Sequence, residues 1–481
     1  MVREDVPAVP LDGNQQRRMR QFFPPLILLE SIHETCNQRT VLKAAEAPPN
    51  PNQAPEGRFR TFVNKLAHIC DYRPKGDTVT ALTVLFEDDR VLYLFASNRR
   101  TRAELNKTRS DLLALLNTLK ENLQPETRRP DRVLNDKLLR QILALNSVRV
   151  QGYLSTLSNE LKSCIKACKG DTTSPDSEGA AQTLGILLQM IPDSKQAEQK
   201  SAEFISSTIR CIRTIEEYRQ LPVQYFIERR AYTSERLGTA PFWSSLQHVI
   251  GRLLSYQYDA ETLISAHHIW GDTDLFRDFE VDFLPSSDPY PSSATKLKPE
   301  AIDTIINRTP QAMPSQLETL KQHARDLQAF SLDAMLEKQW KRKIDPIVHA
   351  EVLLHDWLSR TPGGIQQARF FSNWRYIGTS KPICRLCHSY FDIIATPVHF
   401  RDGHPNTYLN WRPPDVRLPE GNEDVDEVKA IWRSVIDQMK MRVYTDMRRL
   451  LVEKATDKKQ NDSNTNTDRI TLDGLLANLS I

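Results

Sequence analysis

Arg375-Tyr-Ile-Gly-Thr-Ser-Lys-Pro-Ile-Cys-Arg-Leu-Cys387 reads as a short strand running straight into a helix start that bears two cysteines. Three residues apart, both sulfurs project from one face of the first turn, where the positive end of the helix dipole favours thiolates. Upstream, Asp345-Pro-Ile-Val-His-Ala-Glu351 reads as a second helix start, with Asp345 as N-cap and Pro346 at the first helical position. Val348, Val352, Leu353 and Trp357 give that helix a face to bury.

His349, Cys384 and Cys387 together make a zinc-type donor set: one imidazole and two thiolates, with a fourth position left for water as in catalytic sites. Glu351, two residues from the histidine and not needed as a ligand, is the natural proton carrier. Neither half is specific alone. A CxxC at a helix start after a strand also describes a thioredoxin-like redox site. The order strand pair, HxE helix, strand, CxxC helix is what carries the reading.

Working outward, Thr78 to Phe86 and Val91 to Ala96 are β-branched and aromatic runs separated by Glu87-Asp-Asp-Arg90, a hairpin whose two apolar strands need cover on both faces. Phe59, Phe62, Val63, Leu66 and Ile69 recur at three and four in Arg58 to Asp71, an amphipathic helix expected to pack on that sheet. The expected organisation is a flexible arm over 1–56, a first core segment over 57–100, an all-helical insertion over 101–343 and a second core segment over 344–412. A linker and an amphipathic helix follow over 413–454, then a disordered tail over 455–481 in which 470–479 can dock. The fold class expected is α/β: a mixed sheet flanked by helices and interrupted by a large helical insertion, with the strand at 375–378 beside Ala96.

With 64 basic and 61 acidic residues the net charge of +3 gives no whole-chain field for nucleic acid or membranes. Arg99, Arg100, Arg102, Lys107 and Arg109, and Lys338, Lys341, Arg342 and Lys343, are local basic clusters that read first as solvated helix faces. Phe22 to Leu29 is too short and too proline-broken for a leader or a span, so a soluble intracellular protein is expected, cytoplasmic or nuclear. Seven scattered cysteines do not make a secreted disulfide framework, and Cys164 with Cys168 reads as core packing.

The motifs H-x-E and P-x-C-x-x-C resemble those of the cytidine and nucleic-acid deaminase superfamily, with one extra residue between Pro382 and Cys384. The set His349-Ala350-Glu351, Tyr376-Ile-Gly-Thr-Ser-Lys381, Cys384 to Cys387, and His404 with Tyr408 and Trp411 is similar to an uncharacterised, mainly fungal branch of it. That resemblance implies a deaminase-like fold, bound Zn2+ and hydrolytic deamination of a nucleobase in a nucleotide, single-stranded DNA or RNA, with Glu351 moving the protons. It also implies substrate-side positions for Asn98, Ser380 and His404. Asn98 can equally cap a strand end, and His404 can face substrate, serve as a fourth ligand or decorate a loop. The rival is an inactive deaminase-fold zinc protein acting as an interaction module; a closed ligand shell completed by His404 or His388 would mark it.

Overall fold

The computed structural model describes residues 8–36, 54–87, 89–123, 131–172, 174–192, 201–219, 221–237, 239–288, 290, 297–417 and 424–453. In chain order the first elements are α1 (Gly13–Cys36), α2 (Pro55–Cys70), β1 (Thr80–Glu87), β2 (Arg90–Ser97), α3 (Arg102–Glu121), α4 (Asp131–Leu145) and α5 (Ser147–Gly170). Next come α6 (Asp176–Gln189), α7 (Ala202–Tyr218), α8 (Pro222–Leu237), α9 (Phe242–Trp270), α10 (Asp274–Arg277), β3 (Phe279–Phe283), α11 (Ile302–Ile306) and α12 (Pro314–Gln328). The last are α13 (Leu332–Trp340), α14 (Ala350–Arg360), β4 (Tyr376–Thr379), α15 (Arg385–Ile393), β5 (His399–Phe400) and α16 (Val425–Glu453). The described residues form two compact units, one drawn from 8–36, 80–105 and 282–453, the other from 54–79 and 106–281. No described helix is long and apolar enough to cross a membrane.

The first unit is mixed α/β. Its five-stranded sheet runs β3-β2-β1-β4-β5. β1 and β2 form the expected hairpin, from Thr80 opposite Ser97 to Glu87 opposite Arg90. β4 is antiparallel to β1 through Ala81–Thr379 and Leu82–Gly378, and β5 is parallel to β4. Ala96 is therefore one strand removed from β4, because it faces Ala81 across the hairpin and the outer edge of β2 is taken where the Leu284 amide donates to the Phe95 carbonyl at 2.9 Å. The chain that leaves after β2 and the chain that returns are tied together: the Arg100 amide donates to Ser286 Oγ at 3.0 Å, and Ser286 donates to the Ser97 carbonyl at 2.9 Å. Residues 282–343, expected among the inserted helices, belong to this unit.

The supposed N-terminal arm is in part a core element. Asp12 and Gln15 cap α1 reciprocally, the Gln15 amide donating to Asp12 Oδ1 at 2.8 Å and the Asp12 amide to Gln15 Oε1 at 3.1 Å. Pro24 and Pro25 lie inside α1 and cost about 3 kcal/mol or more apiece in lost hydrogen bonds and clashes. Burial outweighs them: Phe22, Phe23, Leu26, Ile27, Leu28 and Ile32 are fully buried, each stabilising by about 1.5–3 kcal/mol. α1 packs chiefly on α16, whose Ile436, Met439, Val443, Met447 and Leu450 form its buried stripe. The tail over 455–481 lies outside the described residues.

The second unit is built from helices. α2 belongs here, not on the sheet: Phe59 and Phe62 pack on Trp270 of α9 at ring-centroid distances of 6.0 and 6.4 Å. Its polar residues are buried too. His68 Nδ1 lies 2.7 Å from Asp259 Oδ2 and Lys65 Nζ 3.5 Å from Asp259 Oδ1. Asp71 pairs with Arg149 at 3.1 Å and accepts from the Thr78 hydroxyl at 2.8 Å. Cys164 and Cys168 are buried on α5, and burial raises both thiol pKa values.

Candidate metal centre

The helix that follows His349 begins later than its capping signal suggests, and the delay makes the site. Residues before α14 are held extended by pairing: the Ile347 amide donates to the Asn410 carbonyl at 2.9 Å and the Arg412 amide to the Ile347 carbonyl at 3.0 Å. Asp345 is thus not the N-cap. His349 is, with φ −66° and ψ 149°, and Cys384 takes the same place on α15 with φ −75° and ψ 164°. An N-cap side chain ordinarily turns back onto its own helix amides; these two turn toward each other. In compensation the Ala350 amide donates to Asn98 Oδ1 at 2.9 Å, so a residue 252 positions away in sequence caps α14 from the end of β2.

His349 Nδ1 lies 3.6 Å from Cys384 Sγ and 3.3 Å from Cys387 Sγ, and the two sulfurs are 3.5 Å apart. All three residues are buried, and among the described residues they form the group able to hold a metal ion, their ligand atoms lying within 4.8 Å of one another. A tetrahedral zinc with ordinary bond lengths requires roughly 3.8 Å between sulfurs and roughly 3.5 Å between sulfur and nitrogen. The donor set fits. Glu351 stands beside it as a non-member of the triad, its Oε1 3.9 Å from His349 Nδ1.

The protonation pattern shows charges compressed together. Burial pushes the Glu351 carboxyl up, against the pull of the His349 imidazole. For Cys384, burial is outweighed by the hydrogen bond from Cys387 and by His349, so its thiol is held well below the usual range. Burial and the neighbouring Cys384 sulfur push Cys387 well above it. Burial works against protonating His349, but Cys384 more than offsets it and raises the imidazole.

The other expected positions divide. Ser380 is fully buried at the end of β4; its amide donates to the Thr80 carbonyl at 2.9 Å and its hydroxyl accepts from the Thr80 amide at 3.1 Å, which extends the β1–β4 pairing. His404 is buried, with Nδ1 accepting the Asn406 amide at 3.2 Å and its ring edge-on to Tyr408 at 5.9 Å; it is not part of the metal-ligating group. His388 pairs with Asp392 at 3.2 Å on the half-exposed face of α15. The basic clusters are largely engaged: Arg99 with Asp345 at 2.7 Å, Arg100 with Thr80 Oγ1 at 3.3 Å, Lys107 with Asp111 at 2.5 Å and Lys338 with Glu34 at 3.3 Å.

Sequence reasoning missed how residues 404–412 brace the centre. The His404 amide donates to the Ile383 carbonyl at 3.0 Å and the Arg385 amide to the Asn406 carbonyl at 3.1 Å, bracketing Cys384. Asn410 holds Asp345 and Ile347, the residues leading into His349, through its side chain and its carbonyl. Glu30 of α1 accepts from the Thr407 hydroxyl at 2.6 Å. Nothing in local periodicity marks these bonds, since they join segments distant in sequence.

A protein-family model described as "OTT_1508_deam:-like deaminase" matches residues 348–415, which contain the three ligand candidates, Glu351 and the bracing segment. No curated protein and no solved structure matches the chain.

Proposed function

We propose that the protein is a zinc-dependent hydrolytic deaminase acting on a nucleobase, free in a nucleotide or within a nucleic-acid strand. The observation that carries this is the convergence of His349, Cys384 and Cys387 at zinc-compatible spacing with Glu351 beside them, inside the segment that matches a deaminase family. On this reading the sheet unit is a deaminase-like core and residues 106–281 are a helical insertion into it. Zinc bound to the triad would supply a Lewis-acidic position at which water becomes acidic near neutral pH.

The chain's own residues do the rest. Glu351, buried and with its carboxyl pushed up by burial, stands 3.9 Å from His349, where it is suited to take a proton from water and return it to the departing amine. Asn98 fixes the start of α14 and so the direction of His349. The dithiol alternative lacks a part for His349, whose Nδ1 faces both sulfurs.

The test is metal analysis of the purified protein combined with an ammonia-release screen over nucleosides, nucleotides, single-stranded DNA and RNA. One zinc per chain and ammonia from an amino-bearing base is the expected result. Zinc without ammonia from any of them overturns the enzymatic reading.

A further inference from the structure

We infer that Tyr408 is a substrate-facing residue of this site, the aromatic face against which a planar heteroaromatic base is held. The inference rests on the nucleobase reading proposed above. Three rings stand in series: His404 and Tyr408 with centroids 5.9 Å apart and planes at 86°, then Tyr408 and His349 with centroids 6.2 Å apart and planes at 53°. The outer histidine is buried, the ligand histidine is buried, and Tyr408 between them is only half-buried. An aromatic ring that stays partly in contact with solvent while adjoining a metal-ligand imidazole borders the space a substrate must enter.

The backbone that carries the ring is also held in place. The Tyr408 carbonyl accepts the Trp411 amide at 3.2 Å, and the preceding Thr407 is bonded to the buried Glu30. On either side the segment is bonded to the chain around Cys384 and to the approach to His349. The bonds that set the distance between the two ligand helices therefore set the place of Tyr408 as well. A pre-positioned aromatic face gives stacking without a large ordering cost, and it tolerates any base, since all present a π-face. Discrimination among bases would then fall to polar groups deeper in the site.

Binding can be read apart from turnover in the zinc-loaded full-length Glu351→Gln protein. Equilibrium dialysis with cytidine, adenosine and guanosine monophosphates, and with a short single-stranded DNA of mixed sequence, gives dissociation constants and separates free from polymeric bases. Tyr408→Phe is expected to bind within about twofold of its parent and Tyr408→Trp as well or better, whereas Tyr408→Leu should bind roughly tenfold or more weakly at unchanged zinc content. Equal binding by the Leu variant overturns the assignment while leaving the deaminase reading intact. Zinc loss in Tyr408→Leu but not in Tyr408→Phe would make the ring a support of His349 and likewise overturns it. If Tyr408→Leu does not fold, a Tyr408→Trp protein that binds tenfold more weakly than Tyr408→Phe does the same. A parent protein that binds none of the probes overturns the nucleobase reading itself, and the Tyr408 inference falls with it.

Discussion

Two of the buried clusters of ionisable side chains among the described residues are chemically opposite. In the helical unit Asp71 sits with Arg149, and Asp259 with Lys65 and His68: each carboxylate has a basic partner, and burial is met by neutralisation. At the starts of α14 and α15, two thiols and a carboxyl share a space with a single imidazole; burial pushes Glu351 up against the pull of His349, and burial together with the Cys384 sulfur pushes Cys387 up. Removing two charges from water is offset when they meet each other; collecting groups of one sign is offset only by something brought from outside. The first cluster carries its own countercharges. The second gathers a donor set able to hold a metal ion.

The contrast is broken most decisively at Glu351. Glu351→Gln removes a proton acceptor but no metal ligand, so zinc content should hold while ammonia release falls about a hundredfold or more. Cys387→Ala should instead lose the zinc along with the activity. Zinc quantification beside the ammonia assay distinguishes them; a Glu351→Gln protein that still turns over would place the proton carrier elsewhere.

A smaller effect on activity but a large one on folding is expected in the helical unit. Asp71→Ala leaves the buried Arg149 guanidinium without its carboxylate, a loss of about 3–5 kcal/mol. Denaturant unfolding should show it as a lowered midpoint, with zinc stoichiometry of the folded protein unchanged. If zinc is lost in proportion, the two clusters are coupled and the distinction between them fails.

How far each cluster could be foreseen follows from the range over which it is assembled. The candidate metal ligands and Glu351 are local: His349 and Glu351 share a helix start, as do Cys384 and Cys387, so spacing within each pair and the order of the two pairs expose them. The hairpin was legible for the same reason, because β-branched runs flanking Glu87-Asp-Asp-Arg90 are a short-range signal. α1 was hidden because Pro24-Pro25 and its Gln- and Arg-rich start outweigh its apolar run in any local reading, while the burial that stabilises it is tertiary. Arg58 to Asp71 showed an apolar face without showing its partner; periodicity says that a face is covered, not by what. The ion pairs of the helical unit join residues 78 and 191 positions apart and leave no trace in spacing.

Acid gives a further separation. His355 on α14 is buried between Phe391 and Phe400 with Nε2 2.7 Å from Thr396 Oγ1, and burial lowers its pKa to about 4. The unfolded chain takes up that proton near pH 6.5 and the folded chain does not, so the stabilising contribution is whole above about pH 6.5 and is lost as pH falls toward 4. The difference of about 2.5 pH units corresponds to about 3 kcal/mol. Calorimetry at pH 7 and pH 5 on wild type and His355→Phe should show a pH-dependent loss that the variant lacks in part. Equal pH dependence in both would assign the acid sensitivity to other groups.

The smallest effect expected is at Asn98, and it tests whether the second cluster is held together by ordinary capping. His349 occupies the N-cap position of α14 yet is turned toward the sulfurs, and the orphaned Ala350 amide is satisfied by Asn98 Oδ1 instead. Deleting a cap costs about 0.5–2 kcal/mol, so Asn98→Ala should lower stability by about 1 kcal/mol and loosen zinc by a few-fold through a less well-directed imidazole. Asn98→Asp keeps an oxygen for the Ala350 amide and places a negative charge at a helix N-terminus, which the dipole favours. Its melting temperature should match wild type. Activity then separates two roles that share one side chain: if Asn98 only caps, the Asp variant is as active as wild type, whereas if its amide nitrogen also donates to substrate, the Asp variant keeps its stability and zinc but loses substrate affinity.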